Sequence, residues 1–400
     1  MTFHEKLRRL FMSATVCGLT TATVSAQGDL DPPAAPGPSM KSLQEIYDRI
    51  DVLEDRQDTL LYMMASHMDL PWQFTVASDT SNDGEYASLA FGPDGLPAVA
   101  HYNSSSDDLR LSRFEGSMWT TETIDDDGVT GLHSSLAFAP NGQPAIAYYY
   151  AGAGNLKFAR FNGSTWDIET VDDNGTAGRY SSLVFAPNGQ PAIAYQGGTN
   201  LRFAQLNGTS WDITSVAGGG EYSSLAFGPD GHPAVAHREL IAFGLPSEYA
   251  LRFSRYDGST WETVTVDDGF SMGPYASLAF GPDGRPAIAY ADFISDAVRL
   301  ARFDGANWNV ETMDSGAGVG HYTSLAFGPD GQPAVAYGMA NEGVRFVRPT
   351  GSGWVQQTVH EQTGGVNHTS LAFAPNGQPA IAWYLNNNAL GFLHRGLFLP

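Results

Sequence analysis

The chain has 400 residues, with 45 glycines, 23 prolines, 12% aromatic residues and a formal net charge of −22. This glycine and aromatic content is typical of a turn-rich β protein rather than a helical one. The acidic balance argues against nucleic acids and anionic membranes as partners, because both would repel the chain.

Residues 1–26 predict a secretory signal peptide. A positive segment with Lys6 and Arg8 precedes an apolar run over residues 10–19, and Val24-Ser25-Ala26 offers small residues for cleavage. The apolar run is too short to span a membrane. A lipoprotein signal at Cys17 is the alternative. Cleavage after Ala26 predicts a secreted, extracellular protein without cysteine, and it changes the formal net charge from −22 to −24 because three basic residues and one acidic residue are removed.

A spacer and a short helix are predicted before the main domain. Residues 27–41 are rich in proline and predict an extended linker. Residues 42–66 carry apolar residues in a heptad pattern, namely Leu43, Ile46, Ile50, Leu53 and Leu60. A lone helix of this length is marginal in water, so it either forms an oligomerising coiled coil, which predicts a homo-oligomer, or packs on its own chain. The linker and the following Met40-Lys41-Ser42-Leu43 resemble a segment near the N-termini of large secreted proteins of environmental bacteria.

Residues 72–400 repeat with a period of about 47 residues. A Ser-Leu-Ala-Phe-like tetrad begins at Ser88, Ser135, Ser182, Ser224, Ser277, Ser324 and Ser370, and tryptophans keep the same spacing at Trp72, Trp119, Trp166, Trp211, Trp261, Trp308 and Trp354. The first unit predicts four strands, A to D, at Leu89–Phe91, Pro97–Tyr102, Leu109–Phe114 and Trp119–Ile124. Seven such units predict an all-β fold, a seven-bladed β-propeller of four-stranded blades.

The two ends of the repeat predict how the propeller closes. The last unit lacks a tryptophan-led strand D, and a matching strand stands at the front as Trp72–Val76. Pairing the first strand with the last unit would remove both open edges. Within a blade, pairing Ser88 with Ala100 would place small residues on one face, on which the bulky face of the next blade could pack.

The C–D turn carries a Gly-x-x-Trp motif in six copies, which are Gly116/Trp119, Gly163/Trp166, Gly208/Trp211, Gly258/Trp261, Gly305/Trp308 and Gly351/Trp354. The motif resembles the Asp-box hairpin of sialidase-type propellers, although the acidic or amide residue here directly precedes the glycine instead of standing two residues before it. The resemblance implies a secreted bacterial propeller repeat protein. Asp-boxes are structural turns, so the resemblance assigns no catalytic residue.

The sequence favours a protein without catalytic activity. A sialidase-type enzyme would need an arginine cluster, a tyrosine nucleophile with an acidic partner and an acid/base carboxylate. The strand C arginines recur instead at fixed places, which favours ion pairing or stem packing, at Arg110, Arg113, Arg252, Arg255, Arg299, Arg302, Arg345 and Arg348. The sequence has no zinc-protease motif, nucleophile elbow or lysine-containing phosphate loop. A sialidase-like glycan-processing enzyme is the alternative.

Two sets of aromatic residues are the candidate ligand-binding residues. One set precedes the tetrads, at Tyr86, His133, Tyr180, Tyr222, Tyr275, Tyr322 and His368. The other follows strand B, at His101, Tyr148, Tyr195, His237, Tyr290, Tyr337 and Trp383. Both sets should lie at the axial mouth or in the clefts between blades, because strand A starts where strand B ends. Aromatic surfaces with polar tips suit sugar rings or peptides. The alternative is that they pack between blades with their hydroxyls bonded to a neighbour.

The loops on the same face are acidic and irregular. The D–A loops Asp125–Asp127, Asp172–Asp173 and Asp267–Asp268 could hold Ca²⁺ or simply be solvated turns, and no other cofactor is predicted. The B–C loops differ in every blade, and the longest runs from Arg238 to Tyr249. The sequence therefore favours a secreted, non-catalytic propeller that binds a glycan or a protein through this face. A structural or adhesive surface component is a further alternative.

Overall fold

The computed structural model describes residues 71–396, except 245–246, 271, 341, 352 and 386–387. In these residues the chain forms seven antiparallel sheets of four strands each and no helix, so none long enough to cross a membrane. This confirms the predicted seven-bladed β-propeller. The predicted signal peptide, linker and helix, residues 1–66, lie outside the described residues.

Each blade runs from strand A, next to the strands A of its neighbours, to strand D at the outer edge. The strands A of blades 1 to 7 are Asp83–Phe91, Thr130–Phe138, Ala177–Phe185, Glu221–Phe227, Ser277–Phe280, Val319–Phe327 and Asn367–Phe373. The strands B are Pro97–Asn103, Pro144–Tyr150, Pro191–Gly197, Pro233–Ala242, Pro286–Asp292, Pro333–Met339 and Pro379–Leu385. Every strand B begins at the proline that follows the A–B turn.

The outer two strands of each blade carry the tryptophan motif. The strands C are Asp108–Phe114, Asn155–Phe161, Asn200–Asn207, Glu248–Tyr256, Ala297–Phe303, Gly343–Thr350 and Ala389–Arg395. The strands D are Trp119–Asp125, Trp166–Asp172, Ser210–Gly218, Trp261–Phe270, Trp308–Ser315 and Gly353–His360 in blades 1 to 6, and Trp72–Ser78 in blade 7. In the first repeat, strands B, C and D agree with their predicted bounds to within about one residue, whereas strand A is longer than predicted and begins at Asp83 instead of Leu89.

The propeller closes through the N-terminal strand, as predicted. Trp72 pairs with Arg395, and the antiparallel pairing continues to Ser78, which lies opposite Leu390. A hydrogen bond also joins every pair of neighbouring blades, because the backbone N–H of each tetrad leucine donates to the serine Oγ of the preceding tetrad at 2.9–3.0 Å. The bond from Leu89 to Ser370 completes this circle.

The core is divided among the blade junctions, with one hydrophobic cluster at each of the seven. At the junction of blades 1 and 2, Ala98 and Ala100 of one blade meet Leu136 and Tyr148 of the next. Ser88 pairs with Ala100, so the predicted face of small residues is confirmed. Because each blade buries its bulky face only against a neighbour, the closed circle is needed for every cluster to be covered.

Candidate functional site

In six of the seven blades the aromatic residue before the tetrad lies in a bulge of strand A, and in blade 5 Tyr275 comes two residues before strand A begins at Ser277. In blade 1, Glu85 lies opposite Tyr102 and Ser88 lies opposite Ala100, so strand A has one extra residue between these pairs. All seven aromatic residues lie in the left-handed region, with φ from 53° to 57°, at Tyr86, His133, Tyr180, Tyr222, Tyr275, Tyr322 and His368. A residue other than glycine adopts this conformation at a cost of about 1–2 kcal/mol. The fold therefore holds the same unfavourable conformation seven times.

These seven side chains form a closed ring around the axis, here called the mouth ring. Neighbouring ring centroids lie 4.2–4.8 Å apart, and Tyr86 contacts both His133 and His368. Neighbouring planes differ by 37–65°, which agrees with the turn of about 51° between blades of a sevenfold propeller. The ring lines an axial cavity of about 220 Å³. The first predicted set therefore comes together at one mouth, and each side chain keeps part of its surface exposed.

Burial keeps the mouth ring uncharged at neutral pH. Burial lowers the pKa of His133 and His368 to about 3 and raises the pKa of Tyr86 to about 12. Burial also raises the pKa of Tyr180 and Tyr275, and the neighbouring tyrosines of the ring add to this effect. The imidazoles are therefore neutral and the phenols protonated at neutral pH. The ring offers aromatic surface, O–H groups and neutral imidazole nitrogens, and no net charge.

Charged residues of both signs surround the mouth ring. Arg238 Nη1 pairs with Glu221 Oε2 at 3.3 Å, and its guanidinium lies 3.4 Å from the centroid of the Tyr249 ring. Arg179 lies 5.6 Å from the centroid of the Tyr149 ring. Both arginines thus rest on aromatic rings, a contact that favours a fixed guanidinium. The mouth is a neutral aromatic centre with a charged rim.

The longest B–C segment is a β-hairpin rather than the irregular loop that the sequence predicted. Strand B of blade 4 extends to Ala242 and strand C starts at Glu248, because Leu240 still pairs with Tyr249. Phe243 near the tip is 91% exposed, and Ile294 in the B–C segment of blade 5 is 59% exposed. The mouth face therefore carries a longer hairpin and exposed apolar side chains on two neighbouring blades.

The second predicted set is buried. All of its members have 0% of their surface exposed, namely His101, Tyr148, Tyr195, His237, Tyr290, Tyr337 and Trp383. The Tyr148 hydroxyl donates to Asp125 Oδ2 at 2.6 Å, and the Tyr195 hydroxyl donates to Asp172 Oδ2 at 2.7 Å. Tyr290 and Tyr337 bond Asp267 and Asp314 in the same way. Each aspartate belongs to the preceding blade, so these residues follow the inter-blade packing interpretation and have no surface that a ligand could contact.

In each of these four tyrosine–aspartate pairs, the aspartate also forms an ion pair with a lysine or arginine on strand C. These ion pairs are Lys157–Asp125 at 2.9 Å, Arg202–Asp172 at 2.7 Å, Arg299–Asp267 at 3.1 Å and Arg345–Asp314 at 2.7 Å. Burial alone would raise the pKa of Asp172, but hydrogen bonds from the Asn174 backbone, Tyr195 and Arg202 lower it. Burial and the bond to Asp172 raise the pKa of Tyr195. Each group therefore joins two blades with a protonated tyrosine, and none of these four tyrosines is exposed to act as a nucleophile.

Blades 1, 4 and 7 depart from this arrangement. At the junction of blades 7 and 1, Ser78 of the blade 7 strand D replaces the aspartate and bonds Asp83 of blade 1. Asp83 lies 3.7 Å from His101 Nδ1 and 3.3 Å from Arg110 Nη1. In blade 4, His237 Nε2 hydrogen-bonds Ser254 Oγ at 3.0 Å. In blade 7, Gly391 replaces the strand C cation, and the Trp383 indole lies over this glycine. A Cβ atom at Gly391 would come within 2.9 Å of the indole.

The tyrosine–aspartate–cation groups were missed by the sequence reasoning, which placed the acidic D–A loops in solvent or around calcium. The first aspartate of each predicted loop is the one engaged by a tyrosine and a cation. A constant interval of 23 residues between aspartate and tyrosine is the signal that could have found them. Within the described ranges, no cluster of three or more His, Cys, Asp or Glu side chains is placed to hold a metal ion.

Six of the eight strand C arginines named above form ion pairs, as predicted, namely Arg110, Arg252, Arg255, Arg299, Arg345 and Arg348. Besides the pairs above, Arg255 binds Asp230 at 2.6 Å and Arg348 binds Asp330 at 2.7 Å. The motif tryptophans also pack across junctions, as Trp119 does on Phe392, with centroids 4.9 Å apart. The arginines and tryptophans that make these contacts therefore have a structural role in the blades.

Comparison with known proteins finds solved structures with a similar fold but assigns the chain to no family. No family model and no curated protein matches the chain. A protein of unknown function from Dyadobacter fermentans is similar, with 13% identity, a TM-score of 0.52 and coverage of 81% of this chain and 98% of that one. A catalytically inactive variant of virginiamycin B lyase from Staphylococcus aureus, solved with quinupristin, has 11% identity, a TM-score of 0.57 and coverage of 80% and 99%. At these identities the likeness shows the fold alone.

Proposed function

We propose that this chain is a secreted, non-catalytic binding propeller that holds a neutral ligand at the mouth ring, with a glycan as the first candidate. The observation that carries the proposal is the closed ring of seven half-buried aromatic side chains, each held at positive φ. Strained conformations persist where the surrounding structure enforces them, and they concentrate at binding sites.

The chemistry of the mouth supports a neutral, hydroxyl-rich ligand. The ring is uncharged at neutral pH, so it offers no counter-charge to an anionic group. Aromatic surface beside O–H and imidazole groups suits the apolar face and the hydroxyls of a sugar ring. The cavity of about 220 Å³ accommodates part of a ligand, and the hairpin of blade 4 with its exposed Phe243 offers further contact.

A glycan array with and without Ca²⁺ tests this proposal. The wild-type chain should bind at least one neutral glycan, and a Tyr180→Gly/Tyr222→Gly variant should lose that binding, because it removes two adjacent rings without adding backbone strain at positive φ. A Tyr195→Phe variant is the matched control, since its ring is buried at the blade junction and should leave binding unchanged. A blank array with a folded protein contradicts the proposal.

Catalysis and assembly are tested separately. Turnover of any member of a fluorogenic glycoside panel would overturn the non-catalytic part of the proposal and favour a glycan-processing enzyme. We further propose that residues 42–66 join chains, which would increase avidity for a multivalent glycan. Light scattering of the mature chain should then show an oligomer, and a monomer would remove this part.

A further inference from the structure

A second cleft lies at the opposite end of the strands, between blades 3 and 4. It is formed by the A–B and C–D turns, whereas the mouth ring lies where strands A begin. Its volume is about 1060 Å³, against about 450 Å³ for the corresponding cleft between blades 5 and 6. The side chains of blade 3 explain this difference in volume.

A guanidinium fills the equivalent space at two other junctions. Arg255 of blade 4 pairs with Asp230 of its own A–B turn at 2.6 Å and lies 5.9 Å from the Phe280 ring of blade 5. Arg348 of blade 6 makes the same two contacts, with Asp330 at 2.7 Å and with the Phe373 ring at 5.8 Å. The arginine thus lies between the turn of its own blade and the next blade.

Blade 3 has two amides at these positions. Gln205 lies opposite Ala192 as Arg255 lies opposite Ala234, and Asn188 replaces the turn aspartate. The shorter, neutral side chains leave the space open and leave the cleft without a cation, since none of the described residues that line it is lysine or arginine.

The tryptophan of this cleft also lacks the glutamate partner found at two other junctions. At two other junctions the indole Nε1 donates to a glutamate of the preceding blade, Trp211 to Glu169 and Trp354 to Glu311, both at 3.0 Å. The corresponding position before Trp261 is Thr214, so Trp261 lacks the glutamate acceptor that Trp211 and Trp354 have. Trp261 itself lines the cleft.

The walls of the cleft differ in chemistry. One wall is aromatic, with the His232 and Tyr256 rings 6.0 Å apart, Tyr256 and Trp261 5.7 Å apart, and Trp261 and Phe203 5.3 Å apart. The other wall is polar, with Asn188, Gln190, Gln205, and Asn207, whose amide donates to Asp212 at 2.9 Å. Amides present both donors and acceptors, as hydroxyl groups do.

We propose that the cleft between blades 3 and 4 is a second binding site, independent of the mouth ring, for a neutral oligosaccharide. Stacking on Trp261 and Tyr256 would use the apolar face of a sugar ring, and the amides would bond its hydroxyls. An anion would meet Asp212 and no counter-charge. A volume near 1,000 Å³ suits a ligand of two or three sugar rings.

Restoring the charge pair of the other blades gives a direct test. The Asn188→Asp/Gln205→Arg variant reproduces the arrangement of blades 4 and 6, so it should fold and should fill the cleft. Isothermal titration calorimetry in EDTA would use cellotriose, maltotriose, xylotriose, mannotriose and chitotriose. At least one should bind the wild-type chain, and the double variant should weaken that binding by roughly tenfold or more, because a filled site cannot accept the ring.

Two control variants separate this site from the mouth ring. Asp330→Asn/Arg348→Gln removes the same charge pair at the distant junction of blades 6 and 7, and Tyr180→Gly changes the mouth, so neither should alter binding at the cleft. The proposal is overturned if no trisaccharide binds the wild-type chain, if the Asn188→Asp/Gln205→Arg variant binds unchanged, or if Tyr180→Gly abolishes the binding. The last result would assign the binding to the mouth ring instead.

Discussion

The two aromatic sets occupy the same ends of neighbouring strands, yet they have different surroundings. Tyr180 of the mouth ring is half-buried and lies at φ 54°, whereas Tyr195 at the end of strand B is fully buried in an ordinary strand conformation. Tyr195 bonds Asp172 of the preceding blade, while the Tyr180 ring packs against His133 and Tyr222 in the mouth ring. The fold needs the second set to join blades, and it strains the first set to keep it at the axis. This difference separates a structural role from a candidate binding role.

The largest expected effect comes from removing a buried tyrosine. Tyr195→Ala should lower the free energy of unfolding by about 3–5 kcal/mol, because it opens a cavity and leaves Asp172 with one partner fewer. Tyr195→Phe should lower it by about 1–3 kcal/mol through the lost hydrogen bond alone. Urea unfolding followed by tryptophan fluorescence measures both.

Tyr180→Phe is the matched control for this experiment. Its hydroxyl bonds the Tyr222 hydroxyl at the half-buried mouth and no aspartate, so the change should cost about 1 kcal/mol or less. Equal losses for Tyr195→Phe and Tyr180→Phe would show that the two sets do not differ in the way the contacts indicate.

Acid should destabilise the propeller through its buried histidines. Burial lowers the pKa of His133, His368 and His237 to about 3 and that of His101 to about 4. Their unfolded pKa is about 6.5, so the unfolded chain binds more protons between these values. Stability is therefore fully present above about pH 6.5 and is lost as the pH falls toward the folded pKa.

The histidines of the two sets can be tested separately. His133→Tyr/His368→Tyr copies the residue at the other five positions of the mouth ring, and it should reduce the loss of stability between pH 6.5 and pH 4, measured as urea midpoints at each pH. His101 and His237 still titrate in that variant, so part of the loss should persist. An unchanged pH profile would contradict the assignment of buried, neutral imidazoles to the mouth ring.

Much of the fold could be predicted from the sequence because its causes lie within one repeat. The small residues at Ser88 and Ala100, the turn signals and the unmatched front strand at Trp72 each determine a local pairing that the structure confirms. The roles of the aromatic sets could not be separated in this way. Both sets recur once in each blade, and burial depends on the neighbouring blade.

Two further features depended on contacts between different repeats. Asp125 looked like a solvated loop residue, since its partners Tyr148 and Lys157 lie in the next repeat. The open cleft depends on Gln205, which stands at a strand C position where five other blades have an arginine, and its importance is visible only beside the filled junction at Arg255. The sequence therefore predicts what each blade does alone better than what two blades form together.

The smallest expected effect tests whether the mouth ring backbone is strained. It compares glycine with alanine at two positions, where the more stable residue should differ. In an ordinary strand, alanine is more stabilising than glycine by about 0.5–1 kcal/mol, so Ala194→Gly should destabilise the propeller. At position 180 the backbone has φ 54°, where glycine is relaxed and alanine is strained. Tyr180→Gly should therefore be more stable than Tyr180→Ala by about 1 kcal/mol, although both lose the same two ring contacts. If alanine were the more stable variant, the left-handed conformation would carry no strain, and the seven positive φ angles would not mark the mouth ring as a binding site.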